Sequence, residues 1–204
     1  MLLGTSMTQQ KKAEIKSSQF SSYAEYLAFQ KKTARETVAR TLQFRQYPRI
    51  LNILKAFFPE AQSVLLIGCR HAAEYNFFRK NYKDVTAIDL FDEGPIINCD
   101  MSKIHDHPEI GARQYDVFVS IRSLAHCVDF EGFINGLKSH ARLGIYCFTK
   151  AGFTRDKWFC SDAEILRPDA TPELFQATFS PFQLRHLQYQ WNQDECNIEF
   201  ICRR

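Results

Sequence analysis

The sequence predicts an α/β protein: a doubly wound, mostly parallel sheet with an antiparallel C-terminal hairpin, preceded by N-terminal helices. Three observations lead there. After Gln62, short apolar runs alternate with helical stretches in the order that strand–helix–strand crossovers require. The runs VLLI (64–67) and VFVSI (117–121) lack in-and-out alternation, as suits strands covered on both faces. The chain closes with QLRHLQYQW and CNIEFICRR on either side of a short polar turn, two strands of a hairpin at one edge of the sheet.

The helices come first. From Ser18 onward, Phe20, Tyr23, Leu27, Ala34, Val38 and Leu42 recur at three-, four- and seven-residue spacings, one apolar helix face. A break at Tyr47-Pro48 is followed by Ile50, Leu51, Leu54, Phe57 and Phe58, a second amphipathic helix stopped before Pro59. These segments define an N-terminal helical arm over residues 1–58, and residues 59–204 form the α/β domain. Within the domain the order is SVLLIG, a helix in AEYNFFRKN, VTAIDLF, a short run ending near Ile97, YDVFVSI, a helix around FEGFINGLKSHA, and GIYCFTK. Residues 151–181 are rich in turn formers and carry Phe153, Trp158 and Phe159; there Thr171-Pro172-Glu173 has the cap, first-turn proline and acid of a helix start.

Composition limits the alternatives. The chain has 204 residues, 45% of them hydrophobic, which is enough to bury one core. No run approaches the roughly 20 apolar residues that cross a bilayer, and the opening MLLGTSMTQQKK is too briefly apolar for a secretory signal, so a soluble, cytoplasmic protein without membrane contact is expected. The seven cysteines are scattered and never spaced as C-x-x-C, which argues against a disulfide framework or a zinc site. His105 and His107 in IHDHPE read as a polar loop, and no metal is expected. The net charge of +3 hides an asymmetry: residues 1–57 carry ten Lys and Arg against three acids, whereas the remainder carries sixteen against twenty. A solvated, lysine-rich helix face is the favoured reading of that arm, ahead of contact with nucleic acid, a phosphorylated substrate or an acidic partner.

In a parallel sheet, ligands bind beyond the carboxyl ends of the strands where strand order reverses. Gly68, Asp89, Asp100 and the group Ser120, Arg122 and Ser123 stand at those ends. Asp89 falls 21 residues after Gly68, the spacing at which an acceptor-only carboxylate can take both hydroxyl protons of a ribose.

Taken together, VLLIGCRHAAE, VTAIDLF, INCDM, YDVFVSIRSLAHC and ARLGIYCF resemble, in order and spacing, the consecutive motifs of the class I S-adenosylmethionine-dependent methyltransferases. The resemblance covers residues 63–149. It implies a Rossmann-like, seven-stranded sheet, S-adenosyl-L-methionine as cofactor, and N-terminal helices on the substrate side. It also implies that Gly68, Cys69 and Arg70 wrap the methionine part of the cofactor and that Asp89 binds the ribose. Leu90 would lie against the adenine, Asp100 and Met101 would border it, and Ser120 with Ile121 would complete the floor. The chain departs from the family where G-x-G-x-G reads Gly68, Arg70, Ala72, where SLAHC lacks the acid usual before the histidine, and where ARLGIY keeps one glycine of two. Glycine suits the first loop because the backbone approaches the ligand closely and takes positive φ. Arg70 is therefore expected to leave the loop toward solvent or the acceptor, or to pair with the cofactor's carboxylate.

The activity so implied is methyl transfer to a small-molecule acceptor, by O- or N-methylation. His126 is the candidate general base, and Tyr23, Tyr26, Trp158 and Phe159 are candidates for an apolar acceptor wall. Two other readings stay open: a non-catalytic protein that binds cofactor or a partner through the basic helices, and a nicotinamide-dependent oxidoreductase. The missing G-x-G-x-x-G and the closing hairpin weaken the last.

Overall fold

The structure is a computed structural model and describes residues 22–36, 46–91, 94–151, 163–192 and 195–204. In chain order its elements are α1 (Tyr23–Glu36), α2 (Tyr47–Phe57), β1 (Ser63–Ile67), α3 (Ala72–Arg79), β2 (Asp84–Asp89), β3 (Ile96–Asn98), β4 (Tyr115–Ile121), α4 (Phe130–His140), β5 (Ala141–Lys150), α5 (Pro172–Phe179), β6 (Gln183–Asn192) and β7 (Glu195–Arg203). Short 3₁₀ turns occupy Met101–Asp106, Leu124–His126 and Glu164–Leu166.

The seven strands form one sheet in the order β3-β2-β1-β4-β5-β7-β6. Strands β1 to β5 run parallel, and β7 lies antiparallel between β5 and β6. The winding proceeds outward from β1 to β3, then returns to β4, so the order reverses between β1 and β4. That reversal opens a crevice at the carboxyl ends of the two central strands.

Every residue of β1 and β4 is buried, which accounts for their unbroken apolar runs. Successive side chains enter opposite cores, as the period of two demands. On one face Leu65, Ile67 and Phe118 meet Phe133 and Leu137 of α4, with Phe175 and Phe179 of α5 packed near Phe200. On the other, Val64, Leu66, Val117 and Val119 meet Leu51 and Leu54 of α2 and Phe78 of α3. Caps fix two of the helices: the Asp129 carboxylate accepts from the Gly132 amide at 2.9 Å and the Thr171 hydroxyl from the Leu174 amide at 3.3 Å.

Helix α2 is thus a core element. Pro48 sits in its first turn, where a missing amide proton costs nothing, so the Tyr47-Pro48 break is the helix start. Arg49 fastens it to the sheet. Its guanidinium donates at 2.9 and 2.5 Å to the two carboxylate oxygens of Glu199 on β7, which is wholly buried and also accepts from the Tyr146 hydroxyl at 2.7 Å.

Helix α1 behaves differently. Of its expected apolar face, Phe20, Val38 and Leu42 lie outside the described residues and Leu27 is only half-buried. Among the described side chains of α1, the buried ones are Tyr26 and Gln30, one turn apart. The inward face is displaced by one position because α1 covers a polar cavity, where side chains with hydrogen-bonding tips are better satisfied than aliphatic ones. Phe153, Trp158 and Phe159 also lie outside the described residues. His107 accepts weakly from the amides of Glu109 and Ile110 at 3.3 and 3.4 Å, while His105 Nδ1 lies 3.2 Å from His140 Nε2. Among the described residues no three His, Cys, Asp or Glu side chains cluster as a metal site, and no helix is long and apolar enough to cross a membrane.

Candidate functional site

A cavity of about 250 Å³ opens at the carboxyl ends of β1, β2 and β4, beneath α1. Its geometry starts at Gly68. This residue has φ +68°, a conformation that L side chains avoid, and a Cβ added there would lie 2.1 Å from the Cβ of Ser123. Glycine is thus required twice, by the turn and by the approach of the loop after β4. Ser123 secures that approach by donating to the Ile67 carbonyl at 2.6 Å, and its oxygen lies 2.8 Å from the Ser120 hydroxyl. The Cys69 amide donates to the Ile88 carbonyl at 3.0 Å, which ties the loop to β2. Arg70 crosses to the cap: its guanidinium donates to Gln30 Oε1 of α1 at 3.0 Å.

The second wall follows β2. Asp89 is buried at 8% exposure, and its Oδ1 accepts from the Leu90 amide at 2.6 Å. Its carbonyl takes the Cys99 amide at 2.8 Å, which brings the segment after β3 alongside. There the Asp100 carboxylate accepts from both the amide and the hydroxyl of Ser102, at 2.9 and 2.8 Å, and starts the 3₁₀ turn that carries Met101. Part of Asp100's acceptor capacity is therefore spent on its own turn.

The third wall follows β4. Ile121 is nearly buried, and Arg122 takes φ +61° while its amide donates to the Phe148 carbonyl at 2.6 Å. His126 is half-buried on this wall, and its carbonyl accepts from the Tyr26 hydroxyl at 3.1 Å. Two hydrogen bonds thus link α1 to opposite sides of the opening, one to the loop after β1 and one to the loop after β4.

Glu74, from the first turn of α3, completes the enclosure. It is 6% exposed and accepts from the Tyr47 hydroxyl of α2 at 3.2 Å. Burial pushes its carboxyl up to about 8; the Tyr47 hydrogen bond opposes this and the nearby Asp89 charge adds to it. Burial, reinforced by Glu74, likewise holds the Tyr47 phenol well above its ordinary range.

Of the residues singled out in the sequence, Tyr26, Gly68, Arg70, Asp89, Leu90, Asp100, Met101, Ile121, Arg122, Ser123 and His126 line this one cavity. Cys69 and Ser120 are fully buried behind its wall: the Cys69 thiol lies 3.6 Å from the His71 carbonyl, and the Ser120 hydroxyl pairs with Ser123. They shape the loops without presenting a side chain to the space. Sequence reasoning passed over Gln30 and Glu74 as wall residues. For Glu74 a signal existed, a lone acid within the apolar stretch AAEYNFF six residues after Gly68.

Comparison with solved structures gives the architecture its place. The 1,6-didemethyltoxoflavin-N1-methyltransferase of Burkholderia thailandensis, solved with 1,6-didemethyltoxoflavin and S-adenosylhomocysteine, superimposes over 91% of both chains with a TM-score of 0.60 at 14% identity. The fold is the class I methyltransferase fold. The N-methyltransferase NodS from Bradyrhizobium japonicum WM9, in complex with S-adenosylhomocysteine, matches 84% of this chain and 96% of its own at 14% identity and a TM-score of 0.56. The magnesium protoporphyrin IX methyltransferase ChlM from Synechocystis PCC 6803, with bound S-adenosylmethionine, matches 88% and 84% at 10% identity and a TM-score of 0.54. No family model and no curated protein sequence matches the chain.

In this class I frame the cavity has two unlike halves. The acids Asp89 and Asp100 stand toward β2 and β3, Arg70 and Glu74 stand beside the loop after β1, and Arg122 with His126 follows β4, farther from the acids. A ligand carrying hydroxyl and amine donors at one end and a carboxylate at the other meets acceptors and donors in the matching order. S-adenosylmethionine is such a ligand, so the residues present fit it.

Proposed function

We propose that the chain is an S-adenosylmethionine-dependent methyltransferase acting on a small-molecule acceptor by O- or N-methylation. One observation carries the reading: in a class I fold, a single cavity at the strand-order reversal brings together Gly68, Asp89, Asp100, Arg70 and His126. The solved neighbours support it, being methyltransferases whose structures hold S-adenosylmethionine or S-adenosylhomocysteine.

When bound, S-adenosylmethionine supplies a methyl group on a sulfonium that leaves as a neutral thioether. The protein's task is then alignment and exclusion of water. Asp89 accepts from the ribose hydroxyls; Leu90 and Met101 flank the adenine, with Asp100 at its edge and Ile121 on the floor. Arg70 turns from Gln30 to the carboxylate of the amino-acid end, where its planar fork suits two parallel hydrogen bonds. Glu74, protonated in part at neutral pH, lines the same half as a group able to donate as well as accept. Tyr26 and Gln30 of α1 close the cavity, and His126 takes a proton from an acceptor hydroxyl or ammonium. We assign the protein to the cytoplasm, with α1 of the N-terminal arm acting as a cap over the site while α2 packs into the core of the α/β domain.

A non-catalytic reading is favoured by one feature: the glycine loop carries Arg70 and Ala72, and Arg70 is already bonded to α1. Transfer of isotopically labelled methyl from S-adenosylmethionine to the small-molecule fraction of the source cells separates the two. The methyltransferase reading predicts a discrete labelled product that is lost with Asp89→Ala and reduced about 10²-fold or more with His126→Ala. Binding of S-adenosylhomocysteine without any labelled product would favour the non-catalytic reading.

A further inference from the structure

Arg122 occupies an unusual position. It follows β4 directly, lines the cavity and holds φ +61°, a conformation that costs an L residue with a Cβ roughly 1–2 kcal/mol and that glycine would adopt freely. An arginine kept in a glycine conformation points to use of its side chain. Among the described residues that guanidinium has no carboxylate partner; it lies 5.8 Å from the centre of the Phe148 ring. Four arginines pair with acids, Arg49 with Glu199, Arg113 with Asp84, Arg142 with Asp116 and Arg203 with Glu60, whereas Arg79 and Arg204 donate to backbone carbonyls at the surface, away from the cavity. Arg70, the other arginine of the cavity wall, is bonded to the neutral amide of Gln30.

The charges are ordered along the sheet. In the strand order β3-β2-β1-β4-β5, the cavity's acids attach to the β3 and β2 ends and to the start of α3, while Arg122 and His126 stand on the β4 side, next to β5. With the cofactor laid from Asp89 to Arg70, Arg122 remains beyond it, on the side left for the acceptor. An exposed guanidinium at the cavity rim, 5.8 Å from the Phe148 ring centre and without a carboxylate partner among the described residues, can recognise an anion by charge-assisted, bidentate hydrogen bonds.

We propose, building on the methyltransferase reading, that the acceptor is a small acid, and that Arg122 binds its carboxylate or phosphate group. Arg122 is then a specificity-determining residue. It anchors the acidic group at the β4–β5 edge and leaves the acceptor's nucleophilic oxygen or nitrogen beside His126.

The test is calorimetric titration of the full chain, saturated with S-adenosylhomocysteine, in a buffer free of competing anions. The probes are phenylacetate and phenyl phosphate, which separate the two acid types, and phenylacetamide as the neutral match. At least one acid should bind about tenfold or more tighter than phenylacetamide. Arg122→Gln, which leaves the backbone demand at this position unchanged, should erase that preference while S-adenosylhomocysteine affinity stays within about twofold, and Arg122→Lys should retain part of it. Equal binding of acid and amide, no acid bound up to about 10 mM, or a preference that survives Arg122→Gln overturns the proposal. Failure of S-adenosylhomocysteine to bind would instead overturn the methyltransferase reading; the acid preference is still measurable on the chain alone.

Discussion

Glu74 and Asp89 are two carboxylates with different tasks in one cavity wall. Asp89 ends a strand, is partly satisfied by the Leu90 amide, and was legible because its 21-residue distance from Gly68 is a local signal. Glu74 gave only an ambiguous signal, since a lone acid in AAEYNFF reads equally as the solvent side of a helix until α2 is packed against it. Its raised value has a stability consequence. The unfolded carboxyl ionises near 4.5, whereas the folded one holds its proton to about 8, so the folded state binds more protons between those values and loses stability as pH rises through them. Glu74→Gln removes this loss. Thermal unfolding should show the variant gaining on the native protein from pH 5 to 8.5, by on the order of 2–4 kcal/mol at the upper end. Parallel pH profiles for the two proteins would contradict the assignment. Arg70 was legible in part: the sequence required its side chain to leave the loop, and only the fold supplied Gln30 as its partner.

At the level of elements, the strands and most helices could be read because their signals are local: unbroken apolar runs for β1 and β4, and a Thr-Pro-Glu start for α5. The two N-terminal helices could be found but not placed. Their periodicity is alike, yet α2 is packed on the sheet and α1 covers a cavity, a difference set by what lies opposite. The Arg49–Glu199 pair marks α2 as structural. Arg49→Met leaves a fully buried carboxylate without its cation, and chemical denaturation should register a loss of about 3–5 kcal/mol. A loss under about 1 kcal/mol would mean that Glu199 is satisfied without Arg49, by the Tyr146 hydroxyl, by Gln190 or by His186, whose Nε2 lies 3.8 Å away. Helix α1 predicts the opposite pattern. Deleting residues 1–45 removes Tyr26 and Gln30 yet spares the core clusters, so the truncated chain should fold and bind S-adenosylhomocysteine within roughly tenfold of the full chain while losing acceptor binding. Equal loss of both would place α1 in the structural core.

Across the whole molecule, the site is a product of topology. Residues 68, 89, 100 and 126 are distant in sequence, and they meet because each ends or follows a parallel strand and because the strand order turns back between β1 and β4. Apart from the Gly68–Asp89 spacing, position relative to strand ends told more than distance along the chain; what stayed hidden, the role of Glu74 and the displaced inward face of α1, depends on packing between elements. The parallel order β3-β2-β1-β4-β5 is shared with nicotinamide-dependent enzymes, which lack the antiparallel closing hairpin, so the identity of the bound molecule is the point on which the functional reading stands. Calorimetric titration of the full chain with S-adenosylhomocysteine, S-adenosylmethionine and NAD tests it directly. The expected result is one site for each adenosyl compound, none for NAD, and an affinity loss of about 1–3 kcal/mol for Asp89→Ala through the missing charge-assisted hydrogen bonds. Binding of NAD in their place, or no binding of either adenosyl compound at millimolar concentration, would contradict it.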